Sequence, residues 1–120
     1  MTRRQDRING LLREELSWLL AREVNDPRLS LLVTITRVDT SVDLRYARVF
    51  VSVMGSEEEQ ITAVAALQSA AAFLQHQLKS RVILRFIPTL LFSLDKSLEQ
   101  ATRTLQVMDT LSNPQEEPRQ

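Results

Sequence analysis

Thirteen arginines and two lysines, Lys79 and Lys96, carry the basic charge of this chain. The planar fork of arginine bonds phosphate in a bidentate way and stacks on bases. Two groups of these cations stand out. Lys79, Arg81 and Arg85 fall within seven residues that contain no acid. Strand alternation over that stretch predicts Arg81 and Arg85 on one face, with Ile83 between them. Lys79, near a helix C-terminus, also complements the helix dipole, an explanation not available to Arg81 or Arg85. Arg3, Arg4 and Arg7 form the second group, in the opening turns of a helix, where positive charge opposes the dipole. Both groups point to phosphate binding.

Catalytic equipment is scarce by comparison. Asp39 with Asp43, and the run Glu57–Glu59, are the available paired carboxylates, and they read as turn and helix-cap residues. His76 is the single histidine and there is no cysteine. That excludes a thiolate metal site and a cysteine nucleophile, and leaves little for zinc or a Ser-His-Asp triad. Ser41, Ser52 and Ser93 have no histidine in a usable sequence context. Gly10 and Gly55 are the two glycines, too far apart for a phosphate-cradling loop. The reading is no catalytic residue, no metal and no cofactor.

The chain has 120 residues, 43% of them hydrophobic, and no net charge. One domain is expected, burying roughly two-thirds of the surface its unfolded form exposes. The neutral total conceals segregation: residues 1–55 carry nine basic and seven acidic side chains, residues 56–120 six and eight. No apolar run approaches the ~20 residues of a membrane span, and MTRRQDRING lacks the apolar stretch of a secretory signal. A soluble cytoplasmic binding domain is expected.

The elements that must position the arginines follow from periodicity. Ile8, Leu11, Leu12, Leu16, Leu19 and Leu20 mark an amphipathic helix over 3–24, with Trp18 at the edge of its stripe and Pro27 as its terminator. Residues 31–38 and 44–53 read as an antiparallel strand pair joined by the turn DTSVD. Ala47, Val49, Val51 and Val53 face the core, while Tyr46, Arg48, Phe50 and Ser52 face away. Tyr46 and Phe50 are then the only aromatic pair on one strand face, a poor base-stacking platform. Ser56–Glu59 spells a capping box, opening a helix over 57–78. Its alanine-rich centre permits either close helix approach or a bend. Residues 82–87 look extended, 89–95 form a third strand, and a helix over 96–111 places Leu98, Leu105, Met108 and Leu111 inward. The tail, 112–120, is polar and predicted disordered. The economical solution is α+β, a three-stranded sheet packed on helices.

Three segments together resemble bacterial ribosome-binding factor A: DPRL at Asp26–Leu29, VDTSVDLRYARVFVSVMG at Val38–Gly55, and RFIPTLLFSLDKSLEQ at Arg85–Gln100. With the first helix, the likeness spans nearly all of 3–111. It implies a type II KH-like domain over 1–111, in the order α-β-β-α(kink)α-β with a short C-terminal helix. It implies a monomer that binds the small ribosomal subunit and its precursor ribosomal RNA, not DNA or a membrane. Such a factor assists late rRNA maturation, including 5′-end processing, without cleaving it, and matters most in the cold. The family lacks the GXXG loop of ordinary KH domains, as does this chain. Its helix kink is marked Ala-x-Gly, matched here by Ala70, Ala71 and Ala72 without the glycine. Lys79 stands where the family commonly has glycine. On this reading Lys79, Arg81 and Arg85 contact phosphates, with Arg45, Arg3, Arg4 and Arg7 as secondary contributors. The alternative is a protein-interaction module using the helical surface and its acidic Glu57–Glu59 end.

Overall fold

Thr2 starts the first helix. Its side chain accepts from the Gln5 amide, and the Gln5 side chain accepts from the Thr2 amide, both at 3.1 Å, a capping box that satisfies two end groups at once. The helix, α1, runs Arg3–Arg22 and buries Ile8, Leu12, Leu16 and Leu19 along one stripe. The computed structural model describes residues 2–24 and 33–97. The Pro27 terminator, the DPRL segment, the body of the expected C-terminal helix and the tail lie outside these.

Gly10 sits on the exposed side of α1, and a Cβ built there would meet nothing within 4 Å. A helical glycine carries an entropic penalty that alanine does not. Gly10→Ala is therefore expected to stabilise the domain by about 0.5–1 kcal/mol, read as a higher denaturant midpoint at unchanged slope.

Three strands follow: β1 (Val33–Thr40), β2 (Tyr46–Val53) and β3 (Thr89–Leu94). β1 and β2 are antiparallel, β3 runs parallel to β2, and the order is β1-β2-β3. The expected turn is displaced. Asp39 belongs to β1, opposite Arg48, and the chain reverses over 41–45. Ser41 Oγ donates to Asp43 Oδ1 at 2.7 Å, and that oxygen also accepts from the Arg45 amide at 3.1 Å. Leu44 adopts a left-handed φ of 61°. The strand therefore begins at Tyr46 rather than at residue 44. β1 carries a bulge at Thr36, between the pairs Ile35–Val51 and Arg37–Phe50. The extra residue shifts the alternation, so that both Ile35 and Val38 point inward. Thr36 Oγ1 donates to Asp95 Oδ2 beyond the end of β3. Asp95 Oδ1 accepts from the Ser97 amide at 2.8 Å. Hydrogen bonds from Ser97 and then Thr36 hold the pKa of the Asp95 carboxyl down at about 2.

A parallel β2–β3 pair requires a crossover, supplied by α2 (Glu57–Ser69) and α3 (Ala71–Arg81). The Ser56–Glu59 capping box forms as expected. The helix expected over 57–78 is broken at Ala70, within the Ala70–Ala72 stretch where the resemblance implies a kink, and its second half continues to Arg81. Just before the break, Ser69 Oγ donates to the Ala65 carbonyl at 3.0 Å, a back-bond that bends helices. The Ala70 amide is shared between Ala66 and Leu67 carbonyls at 3.1 and 3.0 Å. Both halves are tied to the third strand's path. Gln68 of α2 donates to Leu90 O and accepts from Phe92 N, while Gln75 of α3 donates to Ile87 O. Ala70 has φ −87° and ψ −2°, accessible to any L-residue. The break needs no glycine.

The inward residues of all three strands pack against α1, α2 and α3 in one core that includes Val49, Val51, Leu67, Leu74, Leu78 and Leu90. The opposite sheet face carries exposed Tyr46, Arg48 and Leu91. Both edge strands are partly closed by side-chain amides. On β1, Gln5 Nε2 donates to Thr40 O at 3.0 Å, and Asn9 Oδ1 accepts from Thr40 N at 3.0 Å and Thr40 Oγ1 at 2.8 Å. On β3, Gln68 bonds the outer groups of Leu90 and Phe92, as a neighbouring strand would.

Candidate functional site

Residues 82–87, expected to be extended, form with Pro88 an irregular loop from α3 to β3. Its shape follows from alternating anchors. Val82 and Pro88 are buried and Leu84 packs against the core. Between them Ile83 is fully exposed, Arg85 is exposed, and Phe86 is 65% exposed. The loop lies beside the start of α1 and the β1–β2 turn. Together they enclose a cleft of about 260 Å³, lined by Arg4 and Ile8, by Val42, Asp43 and Leu44, and by Leu84, Arg85, Phe86 and Pro88. A second hollow on the same loop is bordered by Lys79 and Arg85.

The fold thus brings Arg4, from the start of the chain, to the loop that already carries Arg85 and is bordered by Lys79. Arg45 stands on the adjoining turn, where its carbonyl accepts from Thr89 N at 2.8 Å and fixes the turn to the start of β3. Its guanidinium lies 3.9 Å from Asp43 Oδ2. Hydrogen bonds from Ser41 and from the Arg45 amide hold Asp43 below the usual carboxylate range, so it stays charged and offsets Arg45. Arg3 and Arg7 are exposed on the opening turns of α1, but only Arg4 of the three lines the cleft.

Arg81 has a different setting from the one that strand alternation predicts. It is the last residue of α3 and turns back onto α1, with Nε bonded to Glu15 Oε2. Its guanidinium carbon sits 3.8 Å from the Trp18 ring centroid, and that of Arg22 lies 4.9 Å from the same centroid. Arg81 therefore has a structural explanation that the sequence alone does not offer: it joins α3 to α1. The Arg81 side chain is 31% exposed, which leaves part of its charge open to solvent.

The carboxylates considered for acid–base work have structural partners. Asp39 pairs with Arg37 at 3.1 Å, Asp43 organises the turn, and Glu59 closes the α2 cap, where bonds to Ser56 lower its pKa. Among the described residues, no group of three or more His, Cys, Asp or Glu side chains could hold a metal ion. No described helix is long and apolar enough to cross a membrane. On the outer sheet face, the guanidinium of Arg37 covers the Phe50 ring at 4.2 Å, so Tyr46 and Phe50 do not present two free rings. Phe86 is an exposed ring that the sequence pattern does not reveal. An apolar run such as VILRFI reads as strand, and only Pro88 signals that the run stops short of one.

The ribosome-binding factor A family profile matches residues 4–108. Ribosome-binding factor A of Dictyoglomus thermophilum is 45% identical over 111 residues, covering 92% of each chain. That of Thermomicrobium roseum is 46% identical over 105 residues, covering 88% of this chain and 81% of the relative. The crystal structure of ribosome-binding factor A from Thermus thermophilus superposes with a TM-score of 0.69 at 29% identity, covering 78% of this chain and 97% of that one. A homology model of the Thermus thermophilus factor, fitted into an electron cryo-microscopy map of a 30S complex, matches with a TM-score of 0.61 at 31% identity, over 73% of this chain and 91% of that one. The fold is the expected KH-like α+β arrangement, with three helices and a mixed three-stranded sheet among the described residues.

Proposed function

The chain belongs to the ribosome-binding factor A family, and from that premise we propose that it binds the small ribosomal subunit and its precursor rRNA as a cytoplasmic monomer. It assists late maturation of that RNA, including its 5′ end, with greatest effect in the cold. It does so as a binding protein, without a cofactor and without cleaving RNA. DNA and membranes are not its partners. The observation that carries this reading is the convergence of Arg4, Arg85 and Lys79 around one loop, with Arg45 on the adjoining turn. These side chains supply phosphate contacts, which position the protein, while the folded shape of the RNA supplies selectivity.

Pairing a cation with a phosphate releases counterions, so affinity falls as salt rises. Removing one such cation flattens the slope of log affinity against log salt by about 0.7–0.9. Arg4→Ala with Arg85→Ala is expected to weaken binding to small subunits and flatten that slope by roughly 1–2. Arg13→Ala, on the exposed middle of α1, is the control and should leave the slope unchanged. Arg81 is kept intact here because its loss would also break the α1–α3 joint. A folded Arg4/Arg85 double variant that binds with wild-type affinity at every salt concentration refutes this interface. It would favour docking through protein, for which exposed Met54 and Ile61 beside the acidic start of α2 are the available surface.

A further inference from the structure

We propose that Phe86 is a stacking platform for one unpaired RNA nucleotide, whose phosphate is held by Arg85 and Arg4. The proposal rests on the RNA-binding reading above and adds the ligand class: a single-stranded nucleotide, not duplex backbone. A large ring left mostly in water needs a reason, and loop mobility does not supply it. Val82, Leu84 and Pro88 anchor the loop in the core, and Gln75 Nε2 holds the Ile87 carbonyl at 3.2 Å. The backbone on both sides of Phe86 is thus fixed while its ring projects outward. Arg85 stands beside the ring, its guanidinium carbon 5.4 Å from the centroid.

The surroundings define the occupant. An apolar ring bordered by Arg4 and Arg85 on the cleft side, and by Lys79 in the adjoining hollow, matches a flat π-system attached to an anion. A nucleotide has that composition. Among the described residues Asp43 is the one acid lining the cleft, and its carboxylate is engaged by Ser41 and the Arg45 amide. A paired base hides its π-face within the stack, so only an unpaired one can lie on the ring. Stacking is tolerant of base identity, since every base has such a face.

The test uses the full chain and purified small subunits. Phe86→Ala is expected to weaken binding roughly 5- to 150-fold, the range for removal of one base–aromatic stack, without changing the salt slope. Phe86→Trp should bind at least as well as the native protein. A photoreactive benzophenone amino acid at position 86 should cross-link to an unpaired rRNA nucleotide. Wild-type affinity in a folded Phe86→Ala variant overturns the proposal, as does a cross-link to a ribosomal protein or to a paired nucleotide. If Arg4→Ala with Arg85→Ala still flattens the salt slope in those cases, the RNA-binding reading survives and the stacking site alone is lost. If that double variant also binds normally, both fall together.

Discussion

Val51→Asp is expected to destabilise the domain by about 3–5 kcal/mol, the cost of a buried charge without a partner. Val51 has no solvent exposure and lies in the central strand, facing the helices. An aspartate there has neither water nor a cation and must either take up a proton or expel the helices. Native domains are stable by only about 5–15 kcal/mol, so the variant would unfold at low denaturant or accumulate unfolded. Phe50→Asp, one residue earlier, should be far milder. Phe50 is on the opposite face and only partly buried, and the guanidinium of Arg37 already covers it. A carboxylate at that position gains a cation as it loses the ring. Urea denaturation of both variants tests the assignment of faces, and a reversed ranking refutes it.

The second large effect is expected at Asn9. Its side-chain oxygen accepts from both the amide and the hydroxyl of Thr40, itself buried. Asn9→Leu fits an apolar stripe and scores well on helix propensity, yet it strands those two donors. An unsatisfied buried group costs about 1–3 kcal/mol, so a total loss of about 2–4 kcal/mol is expected. Combining Asn9→Leu with Thr40→Val removes the hydroxyl as well as its acceptor. The double variant should then be less destabilised than the sum of the two singles. Simple additivity in that double-mutant cycle would show that the bond from the Thr40 hydroxyl to Asn9 Oδ1 contributes nothing to stability.

These two positions mark how far local pattern carries. The α1 stripe, the inward set on β2 and the Ser56 cap rest on periodicity and on contacts three or four residues apart, and they are plain in the sequence. Asn9 is not, because a polar residue within an apolar stripe announces its partner only when the sheet edge is beside it. The bulge at Thr36 is hidden for a similar reason: alternation can be read along one strand, but an extra residue exists only relative to the strand it pairs with. Arg81 reads as a free cation in the sequence because Glu15 and Trp18, its partners, are more than sixty residues away. The clustering of Arg4 with Arg85 is equally non-local. At Ala70 the alanine run permits a bend and close packing alike, and the deciding groups are Ser69 beside it and the anchors Gln68 and Gln75. Phe86 is concealed by composition alone.

The residue after Asn9 is Gly10, and this gives the fold a chemical memory. An Asn-Gly pair in a loose chain is prone to deamidation: the glycine nitrogen attacks the side-chain carbonyl, ammonia leaves, and the resulting succinimide opens to aspartate or isoaspartate. Inside α1 the helical backbone holds that nitrogen out of line for attack, while Thr40 grips the oxygen of the amide. The reaction therefore proceeds chiefly in molecules that have lost the helix. Neither product suits the native site, since isoaspartate lengthens the backbone within a helical turn and aspartate carries a charge into a buried position. Each excursion to the unfolded state, through heat or slow refolding, thus leaves a fraction of chains permanently less able to return.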